Sequence, residues 1–376
     1  MADHMSSTAD KALAEWLIEH GGPVVRYRAA TELLDAAGET YSARLARDLL
    51  ESPVVRRWLD LLERRRGVGG LHSSRPDAFE NAMGKLFELG LRAGITPLDR
   101  ATEPFRRWLA EKLRAGAVQS GDFYARLVAG TLARGGYLCD DAVLMAMKET
   151  LEHLSRTARK GWCDIWLSRR ECAGFPKSCR GKPFIKREFQ FGGKTPLPLI
   201  HDIYGFTGLA HDRVLAHKIN AVVGYILRPE FQKLPDGYGY IFDERKRQPW
   251  AHGWGVHLPG PERLGPSERE TSRFLQRLEL MAHFPQAVKS DWFARALRHL
   301  DRYQIEQGTY RFPSGFLKEQ TSGYYVGGAY MGLGENRRSR RAIEIESTFR
   351  VLKIRHLART ARTEPTGPAV FTVRNR

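Results

Sequence analysis

Four stretches of this chain repeat one plan: an apolar helix, a short turn holding Gly or Pro, then an amphipathic helix led by Asp or Ser-Asp. The clearest copy spans residues 78–113, where AFENAMGKLFELGL is followed by the turn RAGITPL and a helix ending in RRWLAEKL. Asp99 stands where its carboxylate can cap the second helix by accepting orphan N–H groups of the first turn. A second copy spans residues 122–154, with Asp140-Asp141 between its helices. A third reads PLPLIHDIYGFTGLA, then His211-Asp212, then RVLAHKINAVVGYIL; a fourth reads SRFLQRLELMAHFPQAVK, then Ser290-Asp291, then WFARALRHLDRY. EWLIEHGGPVVRYRAATELL is a degenerate N-terminal copy, and RAIEIESTFRVLKIRHLA a final inner-type helix. A helix pair buries one face only by stacking on its neighbours, so the repeats predict one all-α array. The expected organisation is a flexible N-terminus at 1–11, a single domain at 12–360 and a loosely ordered tail at 361–376. Two long connections, near 160–196 and 236–270, are rich in Gly, Pro, Trp and Cys. Connections of that length are usually functional or ordered by packing.

Composition narrows the class. With 376 residues and 42% hydrophobic content, the chain can bury a substantial core. No targeting segment is visible, and the apolar run at 219–227 is too short to span a bilayer. Four cysteines, at 139, 163, 172 and 179, fit a reducing cytoplasm better than a disulfide scaffold. The net charge of +17 invites anionic partners. Its only dense clusters, however, are Arg64-Arg65-Arg66 and Arg337-Arg338 with Arg340-Arg341. A spread of this kind favours a solvated Arg-rich surface over a nucleic-acid face.

Several outer helices end in a Gly-aromatic turn: Gln304, Gly308 and Tyr310; Gln232, Asp236, Gly237 and Tyr238; Gly161 and Trp162. These resemble the QW-type motifs of the squalene–hopene cyclase and protein prenyltransferase superfamily, with Tyr310 standing where Trp is usual. The segments VVRYRAATELL, PLPLIHDIYGF, YYVGGAYMGLGENRR and IESTFRVLKI resemble an uncharacterised bacterial squalene-cyclase-like group over residues 12–360. The resemblance implies an α/α toroid of repeated helix pairs with a central cavity. It does not imply a reaction, because function lives in the site and not the fold.

The superfamily's Asp-x-Asp-Asp acid motif is absent, and Asp140-Asp141 reads as a helix cap. Asp202, at the start of an inner helix, stands broadly where the cyclase acid is found. Protonating an alkene needs a carboxylic acid kept neutral in a dry cavity. The competing reading of a lone acid at a helix start is a dipole or capping partner. If catalytic, Asp202 is the proton donor and His201 its orienting partner. The expected cavity lining is Tyr204, Tyr238, Tyr240, Trp250, Trp254, Tyr310, Tyr324 and Tyr325, whose faces could stabilise a carbocation or simply pack repeats together. His252, His257, Arg311 and Glu319 lie among these aromatics and could line a polar site. Arg337 and Arg338 are candidate diphosphate ligands. The irregular spacing of Cys163, Cys172 and Cys179 predicts no metal site, and no cofactor is expected. No P-loop, GxGxxG, HExxH or Ser-His-Asp pattern occurs.

The sequence reading is thus a cytoplasmic toroid that binds an apolar, isoprenoid-like small molecule, with a cyclase activity left open. Two alternatives stay open beside it. One is a carbohydrate-active toroid using paired carboxylates, Asp202 with Glu319 or Asp236. The other is a non-catalytic basic scaffold for nucleic acid or an acidic protein.

Overall fold

The structure, a computed structural model, describes residues 2–34, 39–64, 69–116, 122–264, 268–306, 308–317 and 319–363. Arg65, Arg66 and the tail from residue 364 onward lie outside the described residues. The chain is mostly helical. In order run α1 (Ala2–His20), α2 (Pro23–Arg28), α3 (Glu39–Glu51), α4 (Pro53–Glu63), α5 (Phe79–Glu88), α6 (Thr96–Arg114), α7 (Phe123–Arg134) and α8 (Asp141–Lys160). They are followed by α9 (Ile200–Phe206), α10 (Ala216–Ile226), α11 (Pro229–Gln232), α12 (Glu268–Met281), α13 (Pro285–Val288), α14 (Asp291–Asp301) and α15 (Ala342–Arg362). The described strands are β1 (Tyr240–Asp243) and β2 (Gln248–Ala251), an antiparallel hairpin in which Tyr240 faces Ala251. No helix among the described residues is long and apolar enough to cross a membrane. The stretch expected to be a flexible N-terminus forms the first turns of α1.

The repeat plan accounts for where α8 and α14 begin, whereas α10 starts at Ala216, past Asp212, whose carboxylate accepts from the Val214 amide at 2.8 Å in the preceding turn. Asp122 and Asp140 cap α7 and α8, their carboxylates accepting backbone N–H bonds from Tyr124 and Ala142 at 2.8 and 3.0 Å. Ser290 does the same for α14, accepting from the Phe293 amide at 3.2 Å. Asp99 does not occupy the N-cap. Pro97 pre-sets the first turn and starts α6 earlier, so Asp99 lies within that turn and accepts from the Gly94 amide at 3.1 Å. Gln232 closes the end of α10, its Nε2 donating to the carbonyl of Ile226, the last residue of that helix, at 2.8 Å.

The described residues divide into two compact units, one within 2–105 and 259–362, the other within 106–258. In the first unit, α15 packs against α1, α12 and α13, and α5 packs against α4. Every residue of α5 is buried, including Glu80, Lys85 and Glu88, and α15 buries Glu344, Glu346, Arg350 and Lys353. Helices buried on all sides normally read as uniformly apolar, so these charges require internal partners. In the second unit, α7 packs on α8 and α9, and α8 packs on α10. α9 is buried along its whole length. A Cβ on Gly205 would come within 2.8 Å of the Gly130 Cα, and one on Gly130 would collide with the His201 carbonyl. These two glycines therefore set the close α7–α9 crossing that brings Arg126 of α7 beside Asp202 of α9.

Candidate functional site

The second unit brings Asp202 and Tyr238 of the sequence-derived candidates together at one buried site. Arg126 lies on α7, buried among apolar neighbours, with its guanidinium forked onto the Asp202 carboxylate: Nε reaches Oδ1 at 3.2 Å and Nη2 pairs with Oδ2. Asp202 Oδ2 also accepts from the Leu199 amide at 2.7 Å, which closes the start of α9. Asp202 is 1% exposed and Arg126 5%. A buried charge persists when paired and hydrogen-bonded, and a fork engaging both oxygens is the geometry of a carboxylate–guanidinium pair. The partners of Asp202 are thus Arg126 and a backbone amide, not His201. Adjacent helix residues face different directions, and His201 instead meets the Phe123 ring edge-on at 5.9 Å.

Above this pair sits His252, 1% exposed, stacked on Phe191 with ring centroids 4.3 Å apart. The Arg126 guanidinium lies 5.8 Å from the other ring of that stack, Phe191. Among the described residues neither ring nitrogen of His252 has a hydrogen-bond partner. Burial, reinforced by the Arg126 charge, lowers the pKa of His252 to about 3, so the imidazole is neutral in the folded chain. A neutral imidazole carries one N–H donor and one acceptor. Leaving both unmatched in an apolar wall costs free energy, and such a group marks a place where a ligand or water is to bind.

Tyr238 forms the adjoining wall, its ring 5.8 Å from His252 and its hydroxyl donating to the Pro198 carbonyl at 2.5 Å. Burial raises its phenol well above the usual value. Its backbone is left-handed, φ 60°, between Gly237 at 100° and Gly239 at 143°. A bulky residue holds that conformation only when its surroundings over-determine it, and such outliers cluster at functional sites. Strain at Tyr238, an unmatched His252 and a buried ion pair thus meet in one place. Below Tyr238 a cavity of about 10 Å³, lined by Phe231, Val256 and His257, has room for one water.

The other candidates are distributed as follows. In the second unit, Tyr204 is buried under the Arg134 guanidinium, 4.3 Å from its centroid. Trp254 supplies the carbonyl that accepts the Ile200 amide at 3.0 Å. Tyr240 lies half-buried in β1. Trp250 is 48% exposed on the hairpin, bonded to Asp243 at 3.2 Å, and lines no buried wall. Asp236 is exposed whereas Asp202 is buried. In the first unit, Tyr325 donates to Glu88 at 2.5 Å, Tyr324 stacks on His72 at 4.8 Å, and Tyr310 lies under Arg355 at 5.3 Å. Glu319 pairs with Lys85 at 2.7 Å and Arg311 with Glu344 at 2.9 Å. Arg337 is engaged by Glu346 at 2.6 Å and the Leu317 carbonyl at 3.2 Å, so it is not free for a diphosphate; Arg338 is exposed. Burial raises the thiols of Cys163 and Cys172 away from the thiolate form that metals bind.

Arg126 and Phe191 escaped the sequence reading. The available signal for Arg126 was a charge in the interior of the apolar helix FYARLVAGTLAR, away from the C-terminal turn where Arg134 is expected. Phe191, in the irregular segment FQFGG, carries no such mark.

His252 makes stability depend on pH with a definite sign. Its folded pKa lies below its unfolded value of 6.5, so between about 6.5 and 3 the unfolded chain holds a proton that the folded chain refuses. Stability is therefore lost as pH falls through that window, by about 1.4 kcal/mol per unit. Denaturant titrations from pH 7 to 5 are expected to show this slope flattened in His252→Phe; equal slopes in the two proteins refute the buried neutral imidazole.

No protein-family model, curated protein or solved structure matches the chain.

Proposed function

We propose that this chain is a terpenoid-cyclase-like protein whose helix pairs form an α/α toroid, and that it binds an apolar, isoprenoid-like small molecule carrying one hydroxyl or carbonyl group. The observation that carries this reading is His252: a neutral imidazole with one donor and one acceptor unmatched, set among Phe191, Tyr238 and Phe123. An aromatic wall with one convergent polar group favours a largely apolar ligand with a single polar handle, and because the cavity beside Tyr238 holds one water, such a ligand enters only where the Phe191–His252 stack opens. The alternation of fully buried α5 and α9 with amphipathic α6, α8 and α14 is the pattern that inner and outer helices of a toroid require.

In this reading Asp202 is a positioning residue. Its fork with Arg126 holds the wall on which Phe191 and His252 stack. It offers no free carboxylic acid for alkene protonation, so we propose binding rather than cyclisation. The paired-carboxylate alternative for sugars has less support, because Glu319 is matched to Lys85 and Asp236 is exposed.

The test is thermal denaturation with farnesol, geranylgeraniol, squalene and maltotriose. A hydroxylated isoprenoid at a hundred times its Kd is expected to stabilise the protein by about 2.7 kcal/mol. His252→Phe, which keeps the stack but removes the polar handle, is expected to abolish that shift. Stabilisation by maltotriose alone, or an isoprenoid shift that survives His252→Phe, overturns the proposal. Squalene turnover lost in Asp202→Asn would restore the cyclase reading instead.

A further inference from the structure

One face of α14, continued by its C-cap residue Arg302, presents Arg295, Arg298, His299 and Arg302 at the helical spacing i, i+3, i+4 and i+7. Together with Pro261 and Glu262 these residues line a groove of about 480 Å³. The segment opposite the helix is tied down by Trp292, whose Nε1 donates to the Pro259 carbonyl at 3.0 Å. The three arginines are exposed, and no carboxylate among the described residues lies within ion-pair distance of any of them. Asp301, the acid at the helix end, is committed elsewhere, to Arg355 at 2.9 Å. Three unmatched guanidinium forks therefore converge on one concave surface over about 10 Å of helix.

A helix C-terminus attracts cations through its dipole, which accounts for basic residues in the last turn. It does not account for Arg295, a turn and a half earlier, nor for the concavity. Guanidinium forks match phosphate oxygens in geometry as well as in charge. The groove's volume is that of a small-molecule site. Among the described residues its lining has no Trp, Tyr or Phe on which unpaired bases would stack, and Glu262 would repel a continuous phosphate backbone. The same carboxylate accepts a hydrogen bond from a hydroxyl.

We propose that this groove binds a phosphorylated, hydroxyl-bearing small molecule of the nucleotide or sugar-phosphate class, with Arg295, Arg298 and Arg302 on the phosphates and Glu262 on a hydroxyl. The proposal is independent of the site around His252.

The test is titration calorimetry of the full chain with ADP, fructose bisphosphate, inorganic pyrophosphate and a single-stranded oligonucleotide. ADP or fructose bisphosphate is expected to bind more tightly than pyrophosphate, and which of the two does so names the source of the phosphate. Arg295→Gln and Arg298→Gln are each expected to weaken that ligand by about ten-fold, the scale of one charge-assisted contact. Arg295→Lys, which keeps the charge and loses the fork, should fall between. Arg340→Gln, at an exposed arginine outside the groove, should change nothing. Unliganded melting temperatures separate loss of binding from loss of fold. Pyrophosphate binding as tightly as both organic phosphates, affinity unchanged in the groove variants, or preference for the oligonucleotide would each refute the assignment.

Discussion

Replacing Arg350 with Ala is expected to destabilise the first unit by about 3–5 kcal/mol, the cost of leaving buried charges without their partner. Arg350 Nη1 bridges two carboxylates, Glu88 at 2.5 Å and Glu279 at 2.6 Å, while Nη2 donates to the Met331 carbonyl at 2.8 Å. Around this bridge the pairing continues. Lys353 holds Glu279 at 2.7 Å and reaches Glu32 at 3.4 Å, and Arg28 holds Glu32 at 2.7 Å. Three acids thus face three bases, and Arg28 and Arg350 are fully buried. Without Arg350, Glu88 and Glu279 would confront each other across the space the side chain had filled. Burial works against the charge on Glu32 and Glu279, yet their cationic partners hold both below the ordinary carboxylate range. Their contribution is therefore present above the unfolded value of 4.5 and is lost as pH falls below it. Equilibrium denaturation of Arg350→Ala should show a melting temperature lower by roughly 10 °C. A loss under 1 kcal/mol would mean that water reaches the network and the charges are not sealed in.

The second large effect concerns Arg126 and Asp202. Asp202→Leu alone is expected to cost about 3–5 kcal/mol, because Arg126 stays buried with its fork unanswered. Arg126→Leu alone should cost a similar amount, since Asp202 would retain only the Leu199 amide. The double variant Arg126→Leu, Asp202→Leu removes both charges and should recover much of the loss, because replacing a buried pair with apolar groups of similar volume is often neutral. A double-mutant cycle measures this as a coupling energy. Additive losses would show that the two residues act separately and would return Asp202 to candidacy as an independent acid.

The residues behind these effects differ in how far they could be read from sequence. Capping at Asp140 and Ser290 was legible because an N-cap and the amides it satisfies lie within three residues of each other. The helical class was legible for the same reason: the spacing of apolar residues repeats at the period of the local geometry. Asp202 stood out as an acid inside an apolar segment, but its partner lies 76 residues away on another helix, so spacing gave no hint of the pairing. Arg350 and Glu88 lie 262 residues apart, and their helices read as ordinary repeats carrying scattered charge. His252 looked like one polar residue in a long connection. Its significance comes from burial and from the lack of a partner at either nitrogen, and neither property is local.

Sequence by itself thus determined the helical class, the caps at Asp140 and Ser290 and the positions of the two long connections, because each depends on groups a few residues apart. Only the tertiary structure decided which charges are paired and which polar groups are stranded. Those outcomes follow from long-range packing: the crossing at Gly130 and Gly205 places Arg126 on Asp202, and the segment from Tyr238 to His252 seals the imidazole against Phe191. Desolvation sets the energy of every such group, and desolvation exists only once distant parts of the chain have come together.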